Sequence, residues 1–223
     1  MNGKLFAQAI IKVISGVFLM GILLFIPAGS FSYWNGWLLM AVLFVPMIVA
    51  GFVMMKKSPE LLQKRLNAKE EQSEQKTVIV LSGLMFFAAF VVAGLNFRFG
   101  WIILPNWIAY AATAVFLLGY LLYAEVLREN AYLSRIVEVQ ENQKVIDTGL
   151  YGIVRHPMYS STLLLFLSMP LVLGSVISFV IMLVYIPIIA KRIRNEEQVL
   201  EQGLAGYSDY RKRVKHKLIP WIW

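Results

Sequence analysis

Apolar residues run through this chain in long unbroken blocks, not in the alternation of a half-buried strand or the stripe of a surface helix. Four blocks, near 5–27, 34–55, 78–99 and 101–124, each reach the roughly 20 residues that a helix needs to cross a hydrocarbon core. A fifth block, about 158–190, is too long for one ordinary span, and Pro170 and Gly174 lie near its middle. Both favour a break or tight turn, so the pattern predicts a helical hairpin, 158–172 and 175–194, dipping into the membrane and returning. Three polar segments separate the blocks: 55–77, 125–156 and 191–223. In the first, Ser58-Pro59 is a helix-start signal and Leu61, Leu62 and Leu66 share one side. That predicts a short amphipathic helix on the membrane surface, although a solvated charged connector fits the same composition. No repeat or low-complexity tract is visible. The expected architecture is one domain over 1–223, an all-α integral membrane protein. Four transmembrane helices fill 1–124, and a C-terminal membrane helical hairpin lies in 125–223 between two polar segments able to close over a site at the membrane face.

Composition strengthens this reading. Hydrophobic residues make up 59% of the chain and the mean hydropathy is +0.66, while only 15% of residues are charged, well below the roughly 25% of soluble domains. The first block contains Lys4 and Lys12 but no clear small-residue cleavage site, so it is expected to be a retained span. The net charge of +8 would suit nucleic acid, but the placement of the charge argues for membrane topology instead. Two basic residues fall in the N-terminal span, six in 56–76, four in 125–156 and eight in 191–223, which accounts for 20 of the 21; Arg98 is the exception. Cytoplasmic segments carry the Lys and Arg excess, and four spans plus a hairpin put every basic segment on one side. Both termini are therefore expected in the cytoplasm, at a bacterial plasma membrane. The absence of cysteine excludes disulfides and thiolate chemistry. His156 and His216 are far apart and lack metal-site spacing, so no metal is expected.

Three clusters could carry chemistry. In RHPMY, Pro157 biases His156 away from the helical region and suits a first helical turn. Arg155 and His156 are thus expected at a helix start, where free N–H groups and the dipole favour a carboxylate or phosphate, with the Tyr159 hydroxyl near. Interfacial snorkelling and an aromatic belt would use the same residues. In AKRIRNEEQVL, residues 190–200, Arg192 and Glu196 lie four apart on one helix face; adjacent Glu196 and Glu197 point apart and make a poor carboxylate pair. Surface salt bridging is the plain alternative. The third, GYSDYRKRVKHKLIPWIW at 206–223, combines basic residues with closing tryptophans and is expected to rest on anionic headgroups.

Taken in order, ENAYLSRIVEVQENQKVIDTGLYGIVRHPMY, the hairpin, RIRNEEQVL, GYSDYRKRV and a closing IP resemble the isoprenylcysteine carboxyl methyltransferases and the related phospholipid methyltransferases. The resemblance is strong over about 125–223 and continues more weakly toward the N-terminus. It implies a methyltransferase that uses S-adenosylmethionine in a cytoplasmic cleft, without a Rossmann domain. By position, it implies cofactor contacts from Lys144, Val145, Ile146, Tyr151, His156, Pro157, Met158, Tyr159 and Glu196, and an acceptor carboxylate held by Arg192. Asn130, Arg155 and Glu197 are expected in support. Ser161 departs from the glycine of many relatives but is still small. The acceptor is expected to be a lipophilic or lipidated molecule, with membrane lipid as neighbour and no nucleic acid. Competing readings are a phospholipid N-methyltransferase, an NADPH-dependent sterol-type reductase with a similar RHP motif, and a transporter or scaffold.

Overall fold

The computed structural model describes residues 3–66, 73–134 and 137–223. Among these the regular structure is helical, with no strand. The order is α1 (Gly3–Ala28), α2 (Trp34–Lys57), α3 (Pro59–Leu66), α4 (Ser73–Phe99), α5 (Asn106–Glu129), a 3-10 turn (Gly149–Gly152), α6 (Pro157–Val172), α7 (Val176–Met182), α8 (Tyr185–Gly203) and α9 (Tyr207–Arg213). Five stretches are long and apolar enough to cross a membrane: α1, α2, Lys76–Phe99, α5, and the α7–α8 pair taken together. The 16-residue α6 is also apolar and spans about 24 Å.

Two element boundaries differ from the sequence reading, each for a local reason. The fourth span is shifted from 101–124 to 106–129. Gly100, at φ +62°, ends α4 in the left-handed conformation, and Pro105 precedes α5 in an extended one, so 101–105 is a turn. The return helix runs past 194 to Gly203 but is divided at Leu183–Val184. Pro187 has no N–H to offer the Leu183 carbonyl, and its ring crowds that oxygen.

Helix packing is close where small residues permit it. A Cβ on Gly94 would lie 2.6 Å from the Leu24 carbonyl oxygen, so α4 rests backbone to backbone on α1. On Gly119 it would lie 3.0 Å from Leu165 Cγ, which seats α6 against α5. Ser161, wholly buried, turns its hydroxyl back onto the Met158 carbonyl at 2.7 Å. The main core joins Met20, Leu24, Leu39, Phe116, Met169 and Val172.

The turn between α6 and α7 meets two other connections at one end of the bundle. The Tyr33 hydroxyl donates to the Leu173 carbonyl at 2.6 Å, Asn35 to Val172 at 2.8 Å, and Asn96 to Gly174 at 3.5 Å and Ile102 at 3.0 Å. These side chains satisfy carbonyls that a tight turn in an apolar setting would otherwise leave bare. Arg98 is at this end too, beside Gly29. The basic polar segments gather at the other end. There α3 forms as expected, but Leu61 and Leu62 are buried against the protein. Lys12 bonds the Leu66 carbonyl, Lys64 donates to Gln140 at 2.7 Å, and Arg65 donates to the Tyr123 hydroxyl and, at 3.3 Å, to the Ser134 carbonyl. Of the rest of the 55–77 segment, 67–72 lies outside the described residues and 73–77 opens α4.

Candidate functional site: a cleft at the basic end

The site begins where α5 ends. Glu129 accepts hydrogen bonds from the Leu150 N–H at 3.0 and 3.3 Å, which pins the start of the 3-10 turn beneath it. Gly149 adopts φ +52°, and a Cβ on it would overlap the Glu129 carboxylate, so this joint demands glycine. Asn130 donates to the Tyr151 hydroxyl at 2.9 Å, and the Tyr210 hydroxyl donates to the Tyr151 carbonyl at 2.8 Å. Tyr151 is thereby fixed between α5 and α9.

From that turn the chain enters α6, with Pro157 at its first position. The expected anion-receiving start is different in detail. The Arg155 and His156 N–H groups donate to the His216 and Lys217 carbonyls, both at 2.9 Å. The Arg155 side chain turns inward to Glu197 at 2.8 Å and to the Val214 and Lys215 carbonyls at 2.7 and 2.8 Å. Glu197, buried, also accepts from His156 Nε2 at 3.2 Å and Lys217 Nζ at 2.9 Å. Three donors thus surround one carboxylate, and the C-terminal tail is latched across the start of α6. The tail does not simply lie on headgroups: Val214 and Leu218 are buried and Ser160 donates to the Leu218 carbonyl at 2.6 Å, leaving Trp221 and Ile222 exposed.

One residue farther round α8, Glu196 meets the other face of His156. Its carboxylate accepts from the Tyr159 hydroxyl and lies 3.9 Å from His156 Nδ1. That hydroxyl in turn accepts from Arg192 Nε at 2.9 Å. The four-residue spacing of Arg192 and Glu196 therefore does place them together, with Tyr159 between a cation and an anion. Adjacent glutamates take different tasks: Glu197 holds the fold together and Glu196 faces an opening.

That opening is a cleft of about 820 Å³, open solvent at its mouth included. Of the residues named from sequence, Asn130, Lys144, Val145, Ile146, Tyr151, Arg155, His156, Met158, Tyr159, Arg192 and Glu196 line it. Pro157 and Glu197 do not; they are buried behind it and set the position of those that do. The cleft has two characters. One side is polar and ionic, from His156, Tyr159, Arg192 and Glu196. The other is apolar and aromatic, from Val145, Leu200, Leu204, Tyr207 and Tyr210. Sequence reading missed this second wall, although Tyr207 and Tyr210 at i, i+3 were a signal that one face of α9 packs inward. It also missed Arg65, whose guanidinium reaches the Met158 sulfur at 3.8 Å. Burial raises the hydroxyl pKa of Tyr151, Tyr207 and Tyr210 well above the ordinary value, so all three remain neutral donors around the cleft.

A bundle with five stretches long and apolar enough to cross a membrane, and a cleft at its basic end that is ionic on one side and aromatic on the other, defines the class, an integral membrane protein. Residues 107–205 match the family model described as phospholipid methyltransferase, which bears out the resemblance read from RHPMY and the segments around it. The chain is also 29% identical over 84 residues to Delta(14)-sterol reductase TM7SF2 of Mus musculus, a match covering 36% of this chain and 20% of that protein.

Proposed function

We propose that the protein is an S-adenosylmethionine-dependent methyltransferase, similar to isoprenylcysteine carboxyl O-methyltransferases, acting on a lipophilic acceptor. In this reading α1, α2, α4 and α5 span the membrane, α6 to α8 form a hairpin, and the cleft and both termini face the cytoplasm. The observation that carries it is the convergence of His156, Tyr159, Arg192 and Glu196, from two ends of a hairpin, on one cleft within a segment matching a methyltransferase family. The cleft also fits the cofactor chemically: it pairs an ionic side with an apolar, aromatic one, and it contains a buried hydroxyl that lacks a partner among the described residues, Tyr207 Oη.

Bound there, S-adenosylmethionine would supply an electrophilic methyl group on a sulfonium. Glu196 would offer its carboxylate to the cationic amino-acid and sulfonium part. Tyr159 keeps that carboxylate and Arg192 in register through its single hydroxyl. Arg192 would hold an anionic acceptor group through its guanidinium. A carboxylate acceptor needs no general base, so alignment and exclusion of water would supply most of the rate. Lys144, Val145, Ile146 and Tyr151 would line the cofactor's flank.

Calorimetric titration of detergent-purified protein tests this. S-adenosylmethionine should bind the wild type, and Glu196→Ala should weaken it about tenfold or more, the worth of a hydrogen bond to a charged group. The sterol reductase likeness favours a second reading, a reductase using a reduced nicotinamide dinucleotide. NADPH binding with no S-adenosylmethionine binding would replace the first reading by the second.

A further inference from the structure

The aromatic wall contains a hydroxyl that nothing described so far uses. Tyr207 lines the cleft, is 4% exposed, and its Oη has no hydrogen-bond partner among the described residues. Such groups are rare in native proteins, because a buried polar atom without a partner gives up its hydrogen bonds to water and gains none in return. None of the described neighbours pairs with it. The Tyr210 hydroxyl donates to Tyr151, Glu197 is surrounded by Arg155, His156 and Lys217, and Leu200, Leu204 and Val145 are apolar.

We propose that the Tyr207 hydroxyl donates a hydrogen bond to the adenosine half of the ligand, with the base lying along the apolar wall. This rests on the methyltransferase reading for the identity of the ligand. The division of the cleft gives the direction: the charged amino-acid end belongs with Arg192 and Glu196, which leaves a flat heteroaromatic base for the wall of Val145, Leu204 and Tyr207. A planar ring stacks well on such surfaces, and one fixed donor among apolar groups orients it.

The test compares wild type and Tyr207→Phe by calorimetry and thermal melting, with S-adenosylhomocysteine and 5′-methylthioadenosine as probes; the second lacks the amino-acid group. Phe keeps the ring and removes only the hydroxyl. The expected result is about three- to tenfold weaker binding of both probes, the size of one neutral hydrogen bond, with a melting temperature unchanged or raised. Unchanged affinity for both overturns the assignment while wild-type binding keeps the methyltransferase reading intact. Loss confined to S-adenosylhomocysteine puts the bond on the amino-acid half and overturns it. Weaker binding together with a lowered melting temperature makes the hydroxyl structural and overturns it too. If the wild type binds only NADPH, the methyltransferase reading fails; a Tyr207→Phe loss on NADPH, which also contains adenosine, would still support the donor role, and no loss would end it. A wild type that binds none of these overturns both.

Discussion

Gly149 shows how much of the site hangs on one missing atom. Its φ of +52° and the Glu129 carboxylate lying where a Cβ would be make it the hinge between α5 and RHPMY. Gly149→Ala should therefore lower the melting temperature, by a left-handed strain of about 1–2 kcal/mol plus the displaced carboxylate, and weaken ligand binding in the same preparation. Gly83→Ala, whose Cβ meets nothing within 4 Å, should leave both unchanged. An unaffected Gly149→Ala protein would mean that Glu129 can swing away at no cost. At this scale the sequence was informative about residue type and silent about assignment. RHPMY and the Arg192–Glu196 spacing pointed to side chains that the fold brings to one cleft. Which of Glu196 and Glu197 faces the opening depends on how α8 is rolled against α6, and two adjacent letters hold no trace of that. Tyr207 was equally hidden, since its importance lies in having no partner, a property of its surroundings.

At the scale of elements, the notable device is the latch between α8, the start of α6 and the C-terminal tail. Arg155 and Glu197 are both buried and bonded at 2.8 Å. Removing one partner of a buried pair strands the other's charge and costs about 3–5 kcal/mol. Glu197→Gln should thus release the tail. Hydrogen exchange at the Arg155 and His156 amides, which donate to tail carbonyls, should speed up by about tenfold or more. Glu201→Gln breaks only the exposed pair with Arg211, worth about 0–1 kcal/mol, and exchange at those amides should not change. If both substitutions behaved alike, the latch would be decorative. Element boundaries were legible where Gly or Pro punctuates the chain, as at Gly174. They were misread where two signals acted jointly, as with Gly100 and Pro105, or where Pro187 acted one turn back along its own helix.

Across the whole molecule, hydrogen bonds gather the three short connections near Tyr33, Ile102 and Gly174 at one end, and the basic segments meet at the other. On the positive-inside rule the basic end would face the cytoplasm. The chain has no cysteine, so single substitutions report cleanly. In intact cells a membrane-impermeant thiol reagent should label Ser32→Cys, while Gln202→Cys, exposed at the basic end, should react only after permeabilisation. The reverse pattern would invert the topology and put the cleft on the wrong face for a cytoplasmic cofactor.

The sequence by itself determined what depends on local composition and order: helices long enough for a bilayer, the turn in the hairpin, the side on which charge collects, and the motif residues that resemble methyltransferases. Those follow from transfer free energies and backbone preferences that each segment carries alone. Only the tertiary structure decided which faces of α6, α8 and α9 look at one another, hence that the tail satisfies the start of α6, that Glu197 is enclosed while Glu196 is not, and that an aromatic wall, with a hydroxyl unpaired among the described residues, completes the cleft. Burial and hydrogen-bond satisfaction are properties of the packed chain, shared among residues far apart in sequence, such as Arg155 and Lys215, 60 positions apart, or Tyr33 and Leu173, 140 apart, and no window of sequence contains them.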